Sequence, residues 1–260
     1  MGIALITGAS AGLGTEFAKI FAAQGHSVIL VARRRDRLEQ LATELRQTNP
    51  SIQTWVIDLD LSETGAGQIL FRHVQELKIE IDFWVNNAGF GSGGLFAQLP
   101  LPRELQMMDL NMRTLVETTH LFLPSMLRRR SGRILNVGSL AGFQAGPYMA
   151  TYSATKAFVN SFSEALHQEL SGTGVTCTVL APGMTITEFQ QVAELSGFSK
   201  VKGTPTATAD AVAADGYRAM MKGAALKVSG SLNQLSVQSL RLAPRGLVRR
   251  LAARLNRTQI

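Results

Sequence analysis

The sequence contains a single cysteine, Cys177, among its 260 residues. One cysteine cannot form an intrachain disulfide, so the apolar core has to stabilise the fold. Cys177 lies in the apolar run VTCTVLA, which predicts a buried strand residue. We therefore expect a protein of a reducing, cytoplasmic compartment.

Long apolar runs and clustered metal ligands are also lacking. No run approaches the roughly 20 apolar residues of a membrane-spanning helix, and the run before TGASAGLG is too short for the core of a secretory signal. The histidines His26, His73, His120 and His167 stand singly, without cysteine or carboxylate partners at ligand spacing. We predict no spanning helix, no secretory leader and no metal in the catalytic site.

Acidic residues are missing from Gly216 onward, where nine lysines and arginines occur. The net charge is +7, but the rest of the chain carries 17 basic against 19 acidic residues, a charge of −2. The chain also lacks the interleaved basic and aromatic residues that nucleic-acid surfaces use. A near-neutral body with a basic tail does not favour nucleic acid as a partner.

The basic tail, residues 241–260, is predicted to form an amphipathic helix. Pro244 suits the first position of a helix, and at about 100° per residue Leu247, Val248, Leu251 and Leu255 share one arc. The arginines at 241, 245, 249, 250, 254 and 257 lie outside that arc. Such a helix either docks its leucines on the body or on a partner subunit, or lies on a membrane surface.

The remainder, residues 1–240, reads as one α/β domain. Short apolar runs, from IALITG at 3–8 to VTCTVLA at 175–181, alternate with helix-like segments, including one predicted over 107–130. This alternation predicts a doubly wound parallel sheet with helices on both faces and a ligand beyond the strands' carboxyl ends. FGSGGLF is expected to be a mobile pocket rim, and residues 184–205 are expected to form an apolar lid carrying Phe189, Val192, Leu195 and Phe198.

A glycine-rich turn joins the first predicted strand to the first predicted helix. Gly8, Gly12 and Gly14 would let the backbone approach a pyrophosphate, and the helix N-terminus favours its negative charge. At the end of the second strand, Ala32 replaces the acid that binds the ribose diol of NAD, and Arg33 and Arg34 follow. These residues favour NADP(H) over NAD(H), because a guanidinium can grip the 2′-phosphate.

Three side chains between Ser139 and Lys156 match the chemistry of carbonyl reduction. Tyr152 and Lys156 lie four positions apart in a helix-like segment, so they share one face. An ammonium about 4 Å from a partly desolvated phenol favours the phenolate by up to about 4 kcal/mol, which would lower the pKa of Tyr152 towards neutral. Ser139 ends the run RILNVGS, where its hydroxyl can hydrogen-bond a substrate oxygen.

These motifs resemble those of the short-chain dehydrogenase/reductase family over about residues 3 to 230. The matches, in order and spacing, are TGASAGLG at 7–14, NNAG at 86–89, Asn111, Ser139, Tyr152, Lys156 and PGMTIT at 182–187. The resemblance implies an NAD(P)-dependent oxidoreductase built as a single-domain Rossmann-type sheet of about seven strands.

The resemblance also implies roles for the matching residues. Tyr152 donates the proton as hydride reaches the carbonyl carbon, Ser139 bonds the carbonyl oxygen, Lys156 also holds the nicotinamide ribose, and Asn111 anchors a water chain. Asn87 is expected to brace the sheet instead. The implied cofactor-binding set is Gly8, Ser10, Gly12, Leu13, Gly14, Arg33, Arg34, Asp58, Leu59, Asn86, Ala88, Gly89, Tyr152, Lys156, Pro182, Gly183, Thr185 and Thr187.

The sequence predicts the substrate and the partners less specifically than the site residues. Phe90, Phe96, Phe143 and Met149 favour an apolar or acyl-chain ketone or aldehyde. A cofactor-sensing module without turnover is the alternative, although it would not need Ser139, Tyr152 and Lys156. Helices around Asn111 and Tyr152 resemble the family's dimer interface, with apolar contacts from Phe158 and Phe162, so we expect a homodimer. ALKVSGSLNQL stands where many members carry a Val-Asp-Gly-Gly strand, which leaves a tetramer open.

Overall fold

The computed structural model describes residues 1–186, 188, 206–240 and 242–257. Its strands are β1 (Ile3–Thr7), β2 (Ser27–Ala32), β3 (Thr54–Asp58), β4 (Phe83–Asn86), β5 (Gly132–Val137), β6 (Val175–Ala181), β7 (Thr185–Ile186), β8 (Ala207–Thr208) and β9 (Leu226–Val228). Its α-helices are α1 (Gly12–Ala23), α2 (Arg35–Thr48), α3 (Ala66–Glu76), α4 (Leu101–Met108), α5 (Leu115–Arg129), α6 (Ala150–Glu169), α7 (Ala209–Lys222), α8 (Ser231–Leu240) and α9 (Arg245–Arg257).

Seven of the strands form one parallel sheet in the order β3-β2-β1-β4-β5-β6-β9, and β7 pairs with β8 in a separate parallel ladder. The strand order reverses between β1 and β4, the place where doubly wound sheets bind ligands beyond their carboxyl ends. The predicted Rossmann-type sheet of seven strands is confirmed.

Helices cover both faces of this sheet because alternate strand residues point to opposite sides. On one face Ile6 and Leu30 pack with Phe17 and Phe21 of α1. On the other, Leu5 and Trp84 join a core that includes residues of α3, α5 and α6. Cys177 belongs to this second core and is fully buried, as predicted.

The helix predicted over 107–130 differs from the structure. It begins earlier, as α4 at Leu101, and a π-helical turn at Asp109–Thr114 separates α4 from α5. Pro102 sits in the first turn of α4, where its missing N–H costs nothing, and Pro124 lies inside α5. The π turn contains Asn111, one of the predicted catalytic residues, and such turns often occur at functional sites.

The last part of the chain contains two helices. We did not predict α8, whereas α9 confirms that the basic tail is helical. It begins at Arg245, one residue later than expected, and the Pro244 carbonyl accepts hydrogen bonds from the N–H groups of Leu247 and Val248. None of the helices in the described ranges combines the length and apolar character needed to span a bilayer. The predicted lid residues Phe189, Val192, Leu195 and Phe198 lie outside the described residues.

Candidate active site

The turn between β1 and α1 leads to the backbone N–H groups at the start of a helix. Gly8 and Gly12 have φ values of 67° and 56°, which only glycine adopts readily. A Cβ on Gly14 would lie 2.1 Å from the Gly8 carbonyl oxygen, so the turn tolerates no side chain there. Among the described residues no side chain caps the start of α1, and its first turn contains no acid. The donors of this turn therefore fit the pyrophosphate of a dinucleotide.

The ends of β1 and β4 are fastened together beside this turn. Asn87 donates from Nδ2 to the Thr7 carbonyl at 2.8 Å, and the Thr7 hydroxyl accepts from the N–H groups of Asn87 and Ala88. Asn86 donates from Nδ2 to Asn136 Oδ1 on β5 at 2.9 Å and to Thr119 Oγ1 on α5. The side chains of both asparagines brace the sheet, so Asn86 shares the role expected for Asn87.

Ser139, Tyr152 and Lys156 meet at the carboxyl end of β5. Ser139 precedes a 3₁₀ turn at Leu140–Phe143, and its Oγ accepts from the N–H of Ala141 at 3.1 Å. Tyr152 and Lys156 project from the first turns of α6, are 8% and 6% exposed, and the Lys156 Nζ donates to the Val137 carbonyl at 2.8 Å. The Lys156 Nζ also lies 5.9 Å from the centre of the Tyr152 ring. The predicted triad is therefore assembled.

The protonation states of this pair differ from the expectation. Burial raises the pKa of Tyr152 to about 12, and a hydrogen bond with Ser139 opposes that rise. Burial also lowers the pKa of Lys156 to about 8. The prediction that the pKa of Tyr152 falls towards neutral is therefore wrong for the cofactor-free protein, because the cost of desolvating the phenolate dominates. At neutral pH Tyr152 is therefore a neutral phenol beside the charged ammonium of Lys156. In this state the phenol carries a proton that it can donate.

Asn111 connects the π turn to both walls of the site. Its Nδ2 donates to the Phe90 carbonyl and to Thr155 Oγ1, each at 3.0 Å, and its Oδ1 accepts from the Phe90 N–H. It is 2% exposed. Asn111 therefore fixes the loop after β4 against α6, one turn from Tyr152.

The arginines after β2 are engaged with carboxylates. Arg33 is well exposed and its Nη1 approaches Asp60 Oδ2 at 3.5 Å, while Arg35 pairs with Asp58 at 3.1 Å. Arg34 donates from Nε and Nη2 to Ser10 Oγ, at 3.3 and 3.2 Å. Of the two predicted arginines, Arg34 is the one held against the glycine-rich turn.

The remaining predicted contacts surround the same edge. Leu59 donates its N–H to the Ala32 carbonyl, and the Pro182 carbonyl accepts from the Leu140 N–H beside Ser139. Thr185 Oγ1 donates to the Gly183 carbonyl at 3.1 Å. Gly89 lies beside Lys156, since a Cβ built on it would be 3.5 Å from the Nζ. Leu13 packs on the first core cluster, and Thr187 lies outside the described residues.

The expected substrate-side residues do not all line one wall. Phe90 and Met149 pack with Met107 and Tyr152, while Phe143 packs with Ala181 in another cluster. Phe96 is 63% exposed. The Gly94 N–H donates to the Tyr148 carbonyl at 2.8 Å, which joins the FGSGGLF loop to the segment before Tyr152.

Three site residues were not predicted from the sequence. Asn160 donates from Nδ2 to the Ser139 carbonyl at 3.1 Å, and Thr155 accepts from Asn111. Asn160 follows Lys156 by four positions on α6, so the helical spacing that paired Tyr152 with Lys156 would also have found it. Glu188, which accepts from Arg34 and Arg37, had no comparable signal because it is distant in sequence. In the described ranges no three His, Cys, Asp or Glu residues are grouped to hold a metal.

Comparison with known proteins agrees with this geometry. The profile of the family described as short chain dehydrogenase matches residues 2–195. The ketoacyl reductase HetN of Nostoc sp. is 35% identical over 214 residues, which cover 80% of this chain and 72% of the relative. The NADP-dependent 3-hydroxy acid dehydrogenase YdfG of Escherichia coli K12 is 38% identical over 194 residues, which cover 73% and 75%.

A solved structure extends the likeness to almost the whole chain. The short-chain dehydrogenase from Sphingobium yanoikuyae in complex with NADPH superposes with a TM-score of 0.84 at 28% identity, covering 95% of each chain. The family profile spans well over half of the present sequence, and both curated relatives exceed 30% identity. The chain therefore belongs to the short-chain dehydrogenase/reductase family and is an oxidoreductase of carbonyl and alcohol groups.

Proposed function

We propose that the protein is an NADPH-dependent reductase of apolar or acyl-chain ketones and aldehydes, able to oxidise the corresponding alcohols. The observation that carries the proposal is the group formed by Ser139 and the buried Tyr152 and Lys156, at the same sheet edge as the start of α1, which no side chain of the described residues caps. The turn before α1 and these side chains would hold a dinucleotide beyond the carboxyl ends of the strands.

The side chains divide the work of reduction. A nicotinamide held at this edge would supply the hydride that the carbonyl carbon receives. Tyr152, neutral because its pKa is raised to about 12, donates the proton to the carbonyl oxygen. Ser139, whose Oγ accepts the Ala141 N–H and which hydrogen-bonds Tyr152, would donate its own hydrogen to the same carbonyl oxygen once substrate is bound. Lys156 holds positive charge beside the phenol and stabilises the phenolate that proton donation leaves.

A preference for NADPH is supported by the end of β2. Ala32 offers no carboxylate to the ribose diol, and Arg34 lies on Ser10 of the glycine-rich turn. YdfG is named NADP-dependent, and the Sphingobium enzyme was solved with NADPH. We propose that Arg34 is the main ligand of the 2′-phosphate, with Arg33 assisting from its more exposed position.

Replacing Arg34 by alanine should weaken NADPH binding by about 1.5 to 3 kcal/mol, the free energy of a hydrogen bond between charged groups. NADH binding should change little, because NADH lacks the 2′-phosphate. Arg33→Ala is the matched control and should have the smaller effect. Titration calorimetry with both cofactors measures this, and an equal loss for NADPH and NADH would mean that Arg34 is structural.

The substrate class rests on the apolar lining near Tyr152. Phe90, Met107 and Met149 pack around the ring of Tyr152, and the relative HetN is named a ketoacyl reductase. NADPH oxidation should be measured with a panel that runs from polar hydroxyketones to 3-oxoacyl thioesters and bulky apolar ketones. Turnover that rises along this series supports the proposal. A folded protein that binds NADPH but reduces none of them would instead be a cofactor-sensing module.

Helix α9 is attached to the body near this site. Ala252 is buried, and Asn256 donates from Nδ2 to the Pro147 carbonyl, just before Tyr152, at 2.8 Å. The leucines on the adjoining face are about half exposed, with 52% for Leu247, 50% for Leu251 and 55% for Leu255. We propose that this leucine face, flanked by arginines and free of acids, lies on anionic membrane surfaces, with the protein cytoplasmic and peripheral.

Changing Leu247, Leu251 and Leu255 together to serine should abolish co-sedimentation with phosphatidylglycerol vesicles. The wild type should bind these vesicles, more weakly as salt rises, and should ignore phosphatidylcholine. Leu232 and Leu235 on α8 are also exposed, so the Leu232→Ser, Leu235→Ser protein is the matched control and should still bind.

Sedimentation velocity of the same proteins tests the other use of this face. We propose a homodimer through α5 and α6, where Phe158 and Phe162 stack at 5.8 Å, so the triple serine variant should remain dimeric. A monomeric triple variant, with a wild type that ignores vesicles, would assign the leucine face to a partner subunit.

A further inference from the structure

Glu188 joins two arginines of the cofactor edge. Its Oε2 accepts from Arg34 Nη1 at 2.9 Å, and its Oε1 accepts from Arg37 Nη1 at 2.7 Å. Each carboxylate oxygen thus has a guanidinium of its own. These hydrogen bonds, from Arg37 first and then Arg34, hold the pKa of Glu188 below its usual range, so the group is an anion at neutral pH.

The guanidinium that Glu188 holds is the one that lies on the glycine-rich turn. Arg34 contacts the Ser10 hydroxyl through Nε and Nη2 and the Ser10 carbonyl through Nη2 at 3.3 Å. Ser10 belongs to the turn after β1, and Arg34 follows the end of β2. In doubly wound folds the ribose 2′ position lies between these two elements. An anion bonded to Arg34 there stands where a 2′-phosphate would be bound.

We propose that the Glu188 carboxylate is an internal competitor for the 2′-phosphate site, which NADPH must displace from Arg34 and NADH need not. This inference rests on the proposed preference for NADPH. It adds that Glu188 sets how strongly NADPH is preferred over NADH. Glu188 lowers the affinity for NADPH without touching the cofactor, because each binding event has to break the Arg34–Glu188 pair. Arg37 retains Glu188 after displacement, so the carboxylate stays near and keeps competing.

The exposure of the pair sets the expected magnitude. The side chains of Arg34 and Glu188 are each 41% exposed, so their attraction is screened by solvent. Removing the competing charge should therefore tighten binding by about two- to fivefold, which corresponds to exposed pairs at the strong end of their range.

A nearby carboxylate supplies the matched control. Glu39 pairs with Arg35 at 3.4 Å, one helical turn along α2, and its side chain is 49% exposed. It lies in the same basic cluster but accepts nothing from Arg34. Glu39→Gln removes one negative charge from the cluster and leaves the Arg34–Glu188 pair in place.

The experiment measures binding to the cofactor-free enzyme with two fragments, adenosine 2′,5′-bisphosphate and adenosine 5′-monophosphate, by titration calorimetry. Glu188→Gln should tighten binding of the bisphosphate about two- to fivefold and leave binding of the monophosphate unchanged. Glu39→Gln should change neither. In an Arg34→Ala background, Glu188→Gln should lose its effect, because competition acts through Arg34.

Other outcomes overturn the inference. Weaker bisphosphate binding by Glu188→Gln would mean that Glu188 orients Arg34 for the phosphate. A gain that survives in the Arg34→Ala background, or that Glu39→Gln reproduces, would mean that only the general charge matters. If Glu188→Gln binds the bisphosphate with unchanged affinity and still oxidises NADPH, the competition is overturned but the proposed function is not. An enzyme that binds neither fragment and oxidises no NADPH overturns the proposed function as well.

Discussion

Tyr152→Phe is expected to lower carbonyl-reducing turnover at least about 100-fold while leaving NADPH affinity nearly intact. The substitution keeps the ring that packs on Met107 and Met149 and removes only the hydroxyl. In the proposed mechanism the Tyr152 hydroxyl donates the proton and Ser139 only hydrogen-bonds the carbonyl oxygen, so the variant lacks the proposed donor. Steady-state NADPH oxidation and a separate cofactor titration measure the two effects.

Tyr217→Phe is the control for this substitution. Tyr217 stacks edge-on against Phe21 in the core, away from Ser139 and Lys156, so loss of its hydroxyl should leave turnover near normal. If Tyr152→Phe retained near-normal turnover, another group would have to supply the proton and the proposed mechanism would be wrong.

Lys156→Met is expected to lower turnover by at least about 100-fold and to weaken NADPH binding, because we propose that the ammonium stabilises the Tyr152 phenolate and also holds the cofactor. Methionine has a similar length and no charge. The pH profile of wild-type turnover should show the same dependence on the charge of Lys156. Lys156 is charged below its pKa of about 8, so reduction should decline as the pH rises through that value.

The same variant separates catalysis from stability. Burial lowers the pKa of Lys156 from 10.5 in the unfolded chain to about 8. Below pH 8 the buried ammonium is charged, and this lowers the free energy of unfolding by about 3 kcal/mol. That cost is relieved between pH 8 and 10.5, where the folded protein has already released the proton. Lys156→Met removes the charge and so gains this stability, but its Val137 carbonyl loses the hydrogen bond from the Lys156 Nζ. That loss offsets about 1 to 3 kcal/mol of the gain.

Thermal melts of the cofactor-free proteins check this. Lys156→Met should be at least as stable as the wild type at pH 7, and its advantage should shrink as the pH approaches 10. A variant that is several kcal/mol less stable at pH 7 would make Lys156 a structural residue instead.

Sequence reasoning predicted what depends on pattern and spacing. The apolar runs predicted the strands of the main sheet, and the four-residue spacing of Tyr152 and Lys156 placed them on one helix face. Because parallel strands end at one edge, Ser139 and the glycine-rich turn could be brought to that edge before the structure was known.

What depends on three-dimensional surroundings was not predicted. The sequence could not show that burial of Tyr152 raises its pKa to about 12 against the opposing hydrogen bond with Ser139. Nor could it separate Arg33, which reaches Asp60, from Arg34, which reaches Ser10. The π turn around Asn111 was not predicted because a six-residue segment is too short to show a periodicity of its own.

The most direct test is to follow the hydride. Wild-type protein should be incubated with NADPH carrying deuterium at both positions of nicotinamide C4 and with a bulky apolar ketone or a 3-oxoacyl thioester, and the product analysed by mass spectrometry. The account predicts an alcohol with one deuterium at the carbinol carbon, formed by the wild type and by Tyr217→Phe and nearly absent with Tyr152→Phe. Unlabelled alcohol, or equal labelled product from Tyr152→Phe, would contradict it.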